Sequence, residues 1–194
     1  MKHVPEHTIV ILDEAYFEFA QSTWDYPDSM NYRYDNVITL RTFSKAYGIS
    51  GIRCGYGFGH DYLIGNLHKV KLPFEPSSIA QKGAYGALKD YPHLQRTLEN
   101  NKEQYEILFD YLTHQGFNPI PSVTNFITIK TGSEEASLFL FNELLNHGVI
   151  IRPLRANLMP DHVRISIGTK DEMNHLYEAM SDVMPKYKNK FGLN

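Results

Sequence analysis

Two ionisable residues stand where apolar runs of the sequence end. Asp13 follows Thr8–Leu12 (TIVIL), and Lys45 closely follows Val37–Phe43 (VITLRTF). Continuous β-branched runs of this kind are typical of strands buried on both faces of a parallel sheet. Ligands bind outside the carboxyl ends of such strands, so we expect both side chains on one rim. An acid and an amine there indicate carbonyl chemistry through a Schiff base, because a desolvated lysine amine forms imines.

Further polar residues lie close to this acid and this lysine. An acid beneath a pyridine ring keeps the ring nitrogen protonated and makes the ring an electron sink. Tyr16 lies near enough to Asp13 in the sequence to donate to a phenolic oxygen of the same ring. Ser44 and Arg53 flank Lys45, and a hydroxyl with a guanidinium suits a phosphate. Each residue taken singly also fits an ordinary structural role, as a helix cap or a solvated surface charge.

Several other kinds of site find no support in the sequence. The glycine-rich stretch after Lys45 contains neither G-x-x-x-x-G-K-[ST] nor G-x-G-x-x-G, so no nucleotide-binding loop is expected. The nine histidines form no H-E-x-x-H pattern, and Pro5 separates His3 from His7, so we expect no metal site. Cys54 is the single cysteine, which excludes an internal disulfide and suggests a small buried filler.

The composition is that of an ordinary globular protein. Of 194 residues, 42% are hydrophobic and 21% charged, and the net charge is −3. A mildly acidic chain is a poor candidate for non-specific nucleic-acid binding. No apolar run approaches the ~18 residues of a membrane-spanning helix, and the first residues, MKHVPEH, contain no secretory signal. We therefore expect a cytoplasmic protein without nucleic-acid or membrane partners.

The elements that must position these residues alternate between strands and helices, which favours an α/β fold. Predicted helices span 62–71, 77–89 and 134–147, with a long one from about Pro92 to before Gly116 and a last one that begins at a Thr169/Glu172 capping box. Further strands are predicted at 124–131, 149–152 and 162–167. The pattern becomes that of a small α+β unit after Gly116. We therefore place a domain boundary within the long helix and expect domains at 1–105 and 106–194.

Longer strings in the sequence point to one family. DEAYFEF (Asp13–Phe19) followed by TFSKAYGISGIRCGYGFG (Thr42–Gly59) resembles the fold-type-I, pyridoxal-phosphate-dependent aminotransferases, and within them most closely the histidinol-phosphate aminotransferases. TNFI (124–127), GVIIRPL (148–154) and VRISIGT (163–169) resemble three further family segments in the family's order. The resemblance covers nearly the whole chain. It implies the C-terminal part of the large domain, with a mostly parallel sheet, followed by a small α+β C-terminal domain.

The resemblance assigns roles to residues around the cofactor, pyridoxal 5'-phosphate. Lys45 forms the Schiff base and then carries the proton between the substrate carbon and the cofactor carbon. Asp13 pairs with the pyridinium nitrogen, and Tyr16 hydrogen-bonds the phenolic oxygen. Ser44 and Arg53 hold the phosphate.

Three further residues receive roles in the same way. Thr42 is a further candidate for the cofactor phosphate. Arg164 in VRISIGT corresponds to the arginine that grips the substrate α-carboxylate, a task that suits a planar two-donor fork. Arg152 either helps at the other end of the substrate or braces the small domain.

The activity implied is exchange of an amino group between L-glutamate and imidazole-acetol phosphate, giving 2-oxoglutarate and histidinol phosphate in histidine biosynthesis, by a homodimer. The chain is about half the family's usual length, and the front half of the family pattern is absent. We therefore expect an apolar sheet edge left without its neighbours, and the activity of the chain alone stays open. The alternatives are an aromatic amino-acid aminotransferase and a non-catalytic fragment that needs a complementing chain; a decarboxylase acting on phosphothreonine is a more distant relative.

Overall fold

The computed structural model describes residues 3–21, 26–32 and 34–192. The chain divides into two compact units, Met1–Leu98 and Glu99–Asn194. The division falls within a helix at Tyr91–His114, the long helix that the sequence predicts. The domain boundary at 105/106 stays a prediction.

The first unit contains a three-stranded mixed sheet. Its strands are β1 (Val10–Asp13), β2 (Val37–Thr42) and β3 (Gly55–Gly59), in the order β1-β2-β3. β1 runs parallel to β2, whereas β3 runs antiparallel to it. The sheet is therefore mixed rather than mostly parallel as predicted, because the short loop after β2 reverses the chain direction without a crossover.

The two apolar runs differ in burial. In β2, Val37, Ile38 and Thr39 are buried, as the prediction of a buried strand requires. In β1, by contrast, Ile11 is 63% exposed and Leu12 is also exposed. The prediction that β1 is buried on both faces is wrong, because within the described chain it is an edge strand paired only with β2.

The first unit contains four described α-helical segments, the third of which packs against the loop that follows β2. They are α1 (Phe17–Gln21), α2 (Asp61–Val70), α3 (Ser78–Lys89) and the first part of α4 (Tyr91–His114). Ala80 and Ala84 of α3 form a small core with Phe43 and Cys54 of the loop. The predicted helices at 62–71 and 77–89 are confirmed, and Cys54 is a buried filler as expected. The loop that carries Lys45 is thus seated on a helix.

The second unit is an antiparallel sheet covered on one face by helices. Its strands are β4 (Pro119–Ile120), β5 (Phe126–Lys130), β6 (Arg152–Pro153) and β7 (His162–Ser166), in the order β4-β5-β7-β6, and its helices are the rest of α4, α5 (Glu134–Asn146) and α6 (Lys170–Phe191). Alternate residues of β5 and β7 are buried against these helices, which leaves the other face of the sheet for polar side chains.

The ends of the second unit's elements mostly follow local signals. α6 begins at the predicted capping box, in which Thr169 and Glu172 each satisfy the other's backbone N–H. The predicted strand at 149–152 is mostly absent, since only Arg152–Pro153 pairs with β7.

Among the described residues, no helix combines the length and apolar character needed to cross a membrane.

Candidate functional site

The carboxyl ends of β1 and β2 lie at the same edge of the first sheet. Their parallel register pairs Asp13, the last residue of β1, with Leu40 of β2. The Asp13 carboxylate is exposed there, and its Oδ1 accepts a hydrogen bond from the backbone N–H of Ala15 at 3.1 Å. This turn directs the chain into α1 and leaves the carboxylate at the rim, where the sequence predicts it.

Lys45 meets Tyr16 beyond that edge. The Lys45 Nζ lies 5.2 Å from the centre of the Tyr16 ring. Lys45 is exposed and has no acidic partner within the described chain. The turn that presents it closes with a hydrogen bond from Gly48 N–H to the Lys45 carbonyl oxygen at 2.9 Å. Gly48 has φ +72°, a left-handed conformation that glycine adopts without steric cost.

Hydrogen bonds of the Thr42 hydroxyl connect the segment of Ser44 with the segment that follows Arg53. The Thr42 hydroxyl donates to the Cys54 carbonyl oxygen at 3.4 Å and accepts from the Ser44 backbone N–H at 3.1 Å. It thereby ties the residue before Lys45 to the residue after Arg53. This gives Thr42 a positioning role inside the loop, while the Ser44 hydroxyl makes no hydrogen bond within the described residues.

Arg53 adopts an unfavourable backbone conformation. Its φ of 52° and ψ of 56° are left-handed, and the residue is not glycine. This conformation costs a residue with a Cβ roughly 1–2 kcal/mol, and such outliers concentrate at functional sites. The guanidinium is exposed and donates from Nη1 to the Ser50 carbonyl oxygen at 2.8 Å.

A buried ionic cluster adjoins this edge, and sequence reasoning missed it. The Arg41 Nε donates to Glu14 Oε2 at 2.9 Å, and Nη2 donates to Asp28 Oδ1 at 2.7 Å. The guanidinium also stacks on the Phe17 ring, 3.3 Å from its centre. A charge within an apolar strand, as in VITLRTF, is the signal that could have revealed the cluster, because a buried charge requires a partner.

The charges within the cluster stabilise one another. Burial acts to lower the pKa of Arg41, but its bonds to Asp28, Glu14 and Tyr56 outweigh burial and raise the pKa above its ordinary value. Burial likewise acts to raise the pKa of Asp28, but hydrogen bonds from Met30 N–H and from Arg41 hold it below its ordinary value. Arg41 and Asp28 therefore stay ionised at neutral pH.

A second buried acid lies nearby without such a partner. Burial raises the pKa of Glu18, which lies on α1. Its Oε2 is buried and accepts no hydrogen bond. Burial also raises the pKa of Tyr47 to about 12, so this phenol stays protonated at neutral pH.

The two candidate substrate arginines lie in the second unit. Arg152 of β6 and Arg164 of β7 are register partners, so their side chains extend from the same face of the sheet. That face is opposite the core, since Val163 and Ile165 are buried on the other side. The Arg164 Nε is buried without a hydrogen-bond partner, and its guanidinium carbon lies 4.8 Å from the centre of the Phe126 ring.

Neither arginine forms an ion pair within the described chain. Two neighbouring cations without an anion are the chemistry of a site for a carboxylate or a phosphate. Across the described residues, no group of three or more His, Cys, Asp or Glu side chains is arranged to hold a metal ion.

Comparison with known proteins identifies the class. Residues 1–180 match the family model for aminotransferase class I and II. The chain belongs to this family.

The most similar proteins carry a narrower name. A histidinol-phosphate aminotransferase of Carboxydothermus hydrogenoformans is 41% identical over 171 residues, 87% of this chain and 47% of the relative. One of Macrococcus caseolyticus is 43% identical over 185 residues, 93% of this chain and 49% of the relative. A histidinol-phosphate aminotransferase from Sinorhizobium meliloti, solved with pyridoxal 5'-phosphate, superposes with a TM-score of 0.81 at 28% identity and covers 95% of this chain and 51% of that one. The chain thus spans about half the length of the relatives it matches.

Proposed function

We propose that this chain supplies the cofactor-anchoring part of a histidinol-phosphate aminotransferase. The observation that carries the proposal is the meeting of Lys45 and Tyr16 at the sheet edge where Asp13 ends β1. Relatives with that activity in their names are 41% and 43% identical to the chain. No feature of the described site favours the aromatic amino-acid alternative.

The described residues fit pyridoxal 5'-phosphate. Lys45 offers an amine for the aldehyde, Asp13 a carboxylate for the pyridinium nitrogen and Tyr16 a phenol for the ring oxygen. Ser44 and Arg53 offer a free hydroxyl and an exposed guanidinium for the phosphate. When bound, this cofactor acts as an electron sink that stabilises a carbanion at the substrate α-carbon.

The protein's own contribution is position and charge. Asp13 is exposed at the strand end, and it keeps a proton on a pyridine nitrogen brought against it. The Lys45 amine is held on the closed turn at Gly48, from which it would carry a proton between the substrate carbon and the cofactor carbon when the cofactor is bound. The Tyr16 ring beside Lys45 orients the amine.

The second unit supplies the substrate arginines in this proposal. Arg164 binds the α-carboxylate through a guanidinium whose Nε has no partner in the described chain. Arg152 binds at the other end of the substrate. Arg152 is exposed and forms no ion pair with the residues that the structure describes, which favours this role over a structural brace.

The wider assignments belong to the same proposal. Residues 1–105 form the C-terminal part of the large cofactor domain, and 106–194 form the small α+β domain. The intact protein acts as a cytoplasmic homodimer. The exposed edge strand β1 supports a sheet that continues on another segment.

Amino transfer from histidinol phosphate to 2-oxoglutarate tests the proposal. The chain is assayed with pyridoxal 5'-phosphate, alone and mixed with the segment of the Macrococcus caseolyticus relative that the match does not cover. We expect turnover in the mixture, and its loss with Lys45→Ala. Equal turnover with aromatic amino acids would instead support the aromatic alternative. Turnover in the mixture but not with the chain alone would show that the chain needs a complementing chain, and no turnover in either sample would contradict the proposal.

A further inference from the structure

The buried ion pair between Glu14 and Arg41 joins the ends of the two strands that lead into the candidate cofactor site. Glu14 directly follows Asp13, and Arg41 directly precedes Thr42, the first residue of the segment that carries Lys45. We propose that Glu14 and Arg41 are positioning residues that fix the Asp13 carboxylate relative to Lys45. The inference rests on the proposed function, because it concerns the same cofactor.

Contacts at the end of β1 support this role. The Glu14 backbone N–H donates to the Leu40 carbonyl oxygen at 2.9 Å, which extends the parallel pairing one step beyond Asp13. The Glu14 carboxylate then reaches Arg41 at 2.8 Å, and both side chains are only 5% exposed. The backbone and the side chain of Glu14 thus both bond the end of β1 to β2.

The apolar side chains of β1 itself do little to secure its end, and the buried side chains that anchor the chain there belong to the following helix α1. The strand has four residues, of which Ile11, Leu12 and Asp13 are exposed, and β2 is its single partner. Burial of apolar side chains therefore contributes little to holding it. Directional bonds fix the carboxylate's position: Ala15 N–H donates to Asp13 Oδ1, and the bonds of Glu14 to Leu40 and Arg41 hold the strand end that carries it.

A buried ion pair is a costly means of stabilisation. Apolar residues of similar volume often stabilise a fold as well or better, because charges lose hydration on burial. What a guanidinium that bonds two carboxylates and stacks on a ring adds is a defined geometry, since its planar donors fit their partners in few orientations. Arg41 has that full set of contacts, with Glu14, Asp28, Tyr56 and Phe17.

Glu18 offers a matched control. It is also buried and feels the charge of Arg41, but its Oε2 makes no hydrogen bond and it lies on α1 rather than at the strand end. Removing its charge removes a buried carboxylate close to Arg41 while the tie between the two strands stays intact.

A double-mutant cycle of Glu14 and Asp13 on the full chain, with cofactor affinity as the readout, tests the inference. Affinity for pyridoxal 5'-phosphate is measured by absorbance titration, and borohydride reduction with peptide mapping locates the adduct. We expect Glu14→Gln to raise Kd at least about tenfold in the wild-type background. In the Asp13→Asn background the same change should raise Kd by less than about twofold, because Glu14 acts on affinity through the Asp13 carboxylate. Glu18→Gln is expected to change Kd by less than about twofold.

A second variant separates positioning from folding. Glu14→Met/Arg41→Met replaces the pair with apolar side chains, so we expect a folded chain with an unchanged circular dichroism spectrum and a Kd still raised about tenfold or more. Wild-type affinity in this variant would overturn the inference, as would an equal loss from Glu14→Gln in both Asp13 backgrounds. Failure of the wild-type chain to form an adduct at Lys45 would instead overturn the proposed function, and this inference with it.

Discussion

Replacing Arg152 by Gln should stabilise the sheet of the second unit. Arg152 and Arg164 are register partners on one face, without an ion pair for either within the described chain. Favourable cross-strand pairs contribute roughly 0.2–1 kcal/mol, and like charges directly opposite each other are destabilising. Two unit charges about 6 Å apart in water repel by about 0.7 kcal/mol, which agrees with that range. We therefore expect Arg152→Gln to raise the free energy of opening of this sheet by about 0.2–1 kcal/mol.

Hydrogen exchange of the β5 and β7 amides measures that free energy at low salt. Exchange should slow in Arg152→Gln, and the difference should shrink at 1 M salt because exposed charges are screened. Inorganic phosphate should slow exchange more in the wild-type sheet than in the variant. An anion between Arg152 and Arg164 offsets their repulsion and is attracted to both.

Arg155→Gln is the matched control in the same unit. It removes an ion pair with Glu134, 2.8 Å long, between two exposed side chains. The free energy of opening should therefore stay the same or fall by up to about 1 kcal/mol, so exchange should stay the same or become faster. If Arg152→Gln also quickened exchange, Arg152 would be a structural brace, and its role at the substrate would be refuted.

Three further predictions concern other parts of the chain. Arg53→Gly should lower the affinity for pyridoxal 5'-phosphate but leave the free energy of unfolding in urea within about 1 kcal/mol of wild type, because relief of the left-handed strain offsets the entropy that glycine adds to the unfolded chain. A decrease of several kcal/mol in the free energy of unfolding would show that Arg53 has a structural role. Hydrogen bonds from the Thr169 N–H and hydroxyl hold the pKa of Glu172 below its ordinary value. The Glu172 carboxylate therefore stabilises α6 at neutral pH, and this stabilisation is lost as the pH falls through the folded-state pKa. In thermal unfolding, Glu172→Gln should lack this decrease of the melting temperature in acid. Ile9→Lys/Ile11→Lys should reduce self-association and apolar dye binding, because both side chains are more than half exposed, Ile11 on the edge strand β1 and Ile9 just before it. Unchanged scattering and dye fluorescence would contradict this.

Local signals made much of the fold predictable. The capping box at Thr169 and Glu172 marks the start of α6, and Gly116 marks the end of α4, because helix ends are satisfied by neighbours in sequence. Asp13 and Lys45 at the ends of two apolar runs were enough to predict a shared rim, since parallel strands end at the same edge.

Non-local features escaped prediction. β3 reads as a glycine-rich turn in the sequence, yet Gly55 pairs with Thr42, and a Cβ there would lie 2.8 Å from the Arg41 carbonyl oxygen. Glycine is required by a neighbouring strand that the local sequence does not reveal. The pairing of Glu14 with Arg41, 27 residues apart, likewise depends on the register of β1 against β2.

The most direct test of the central claim is to reduce the mixture of this chain and pyridoxal 5'-phosphate with borohydride and to map the labelled peptide. The account predicts one stoichiometric adduct at Lys45, with the change in visible absorption lost in Lys45→Ala. Labelling scattered over surface lysines, or an equal absorption change in Lys45→Ala, would contradict it.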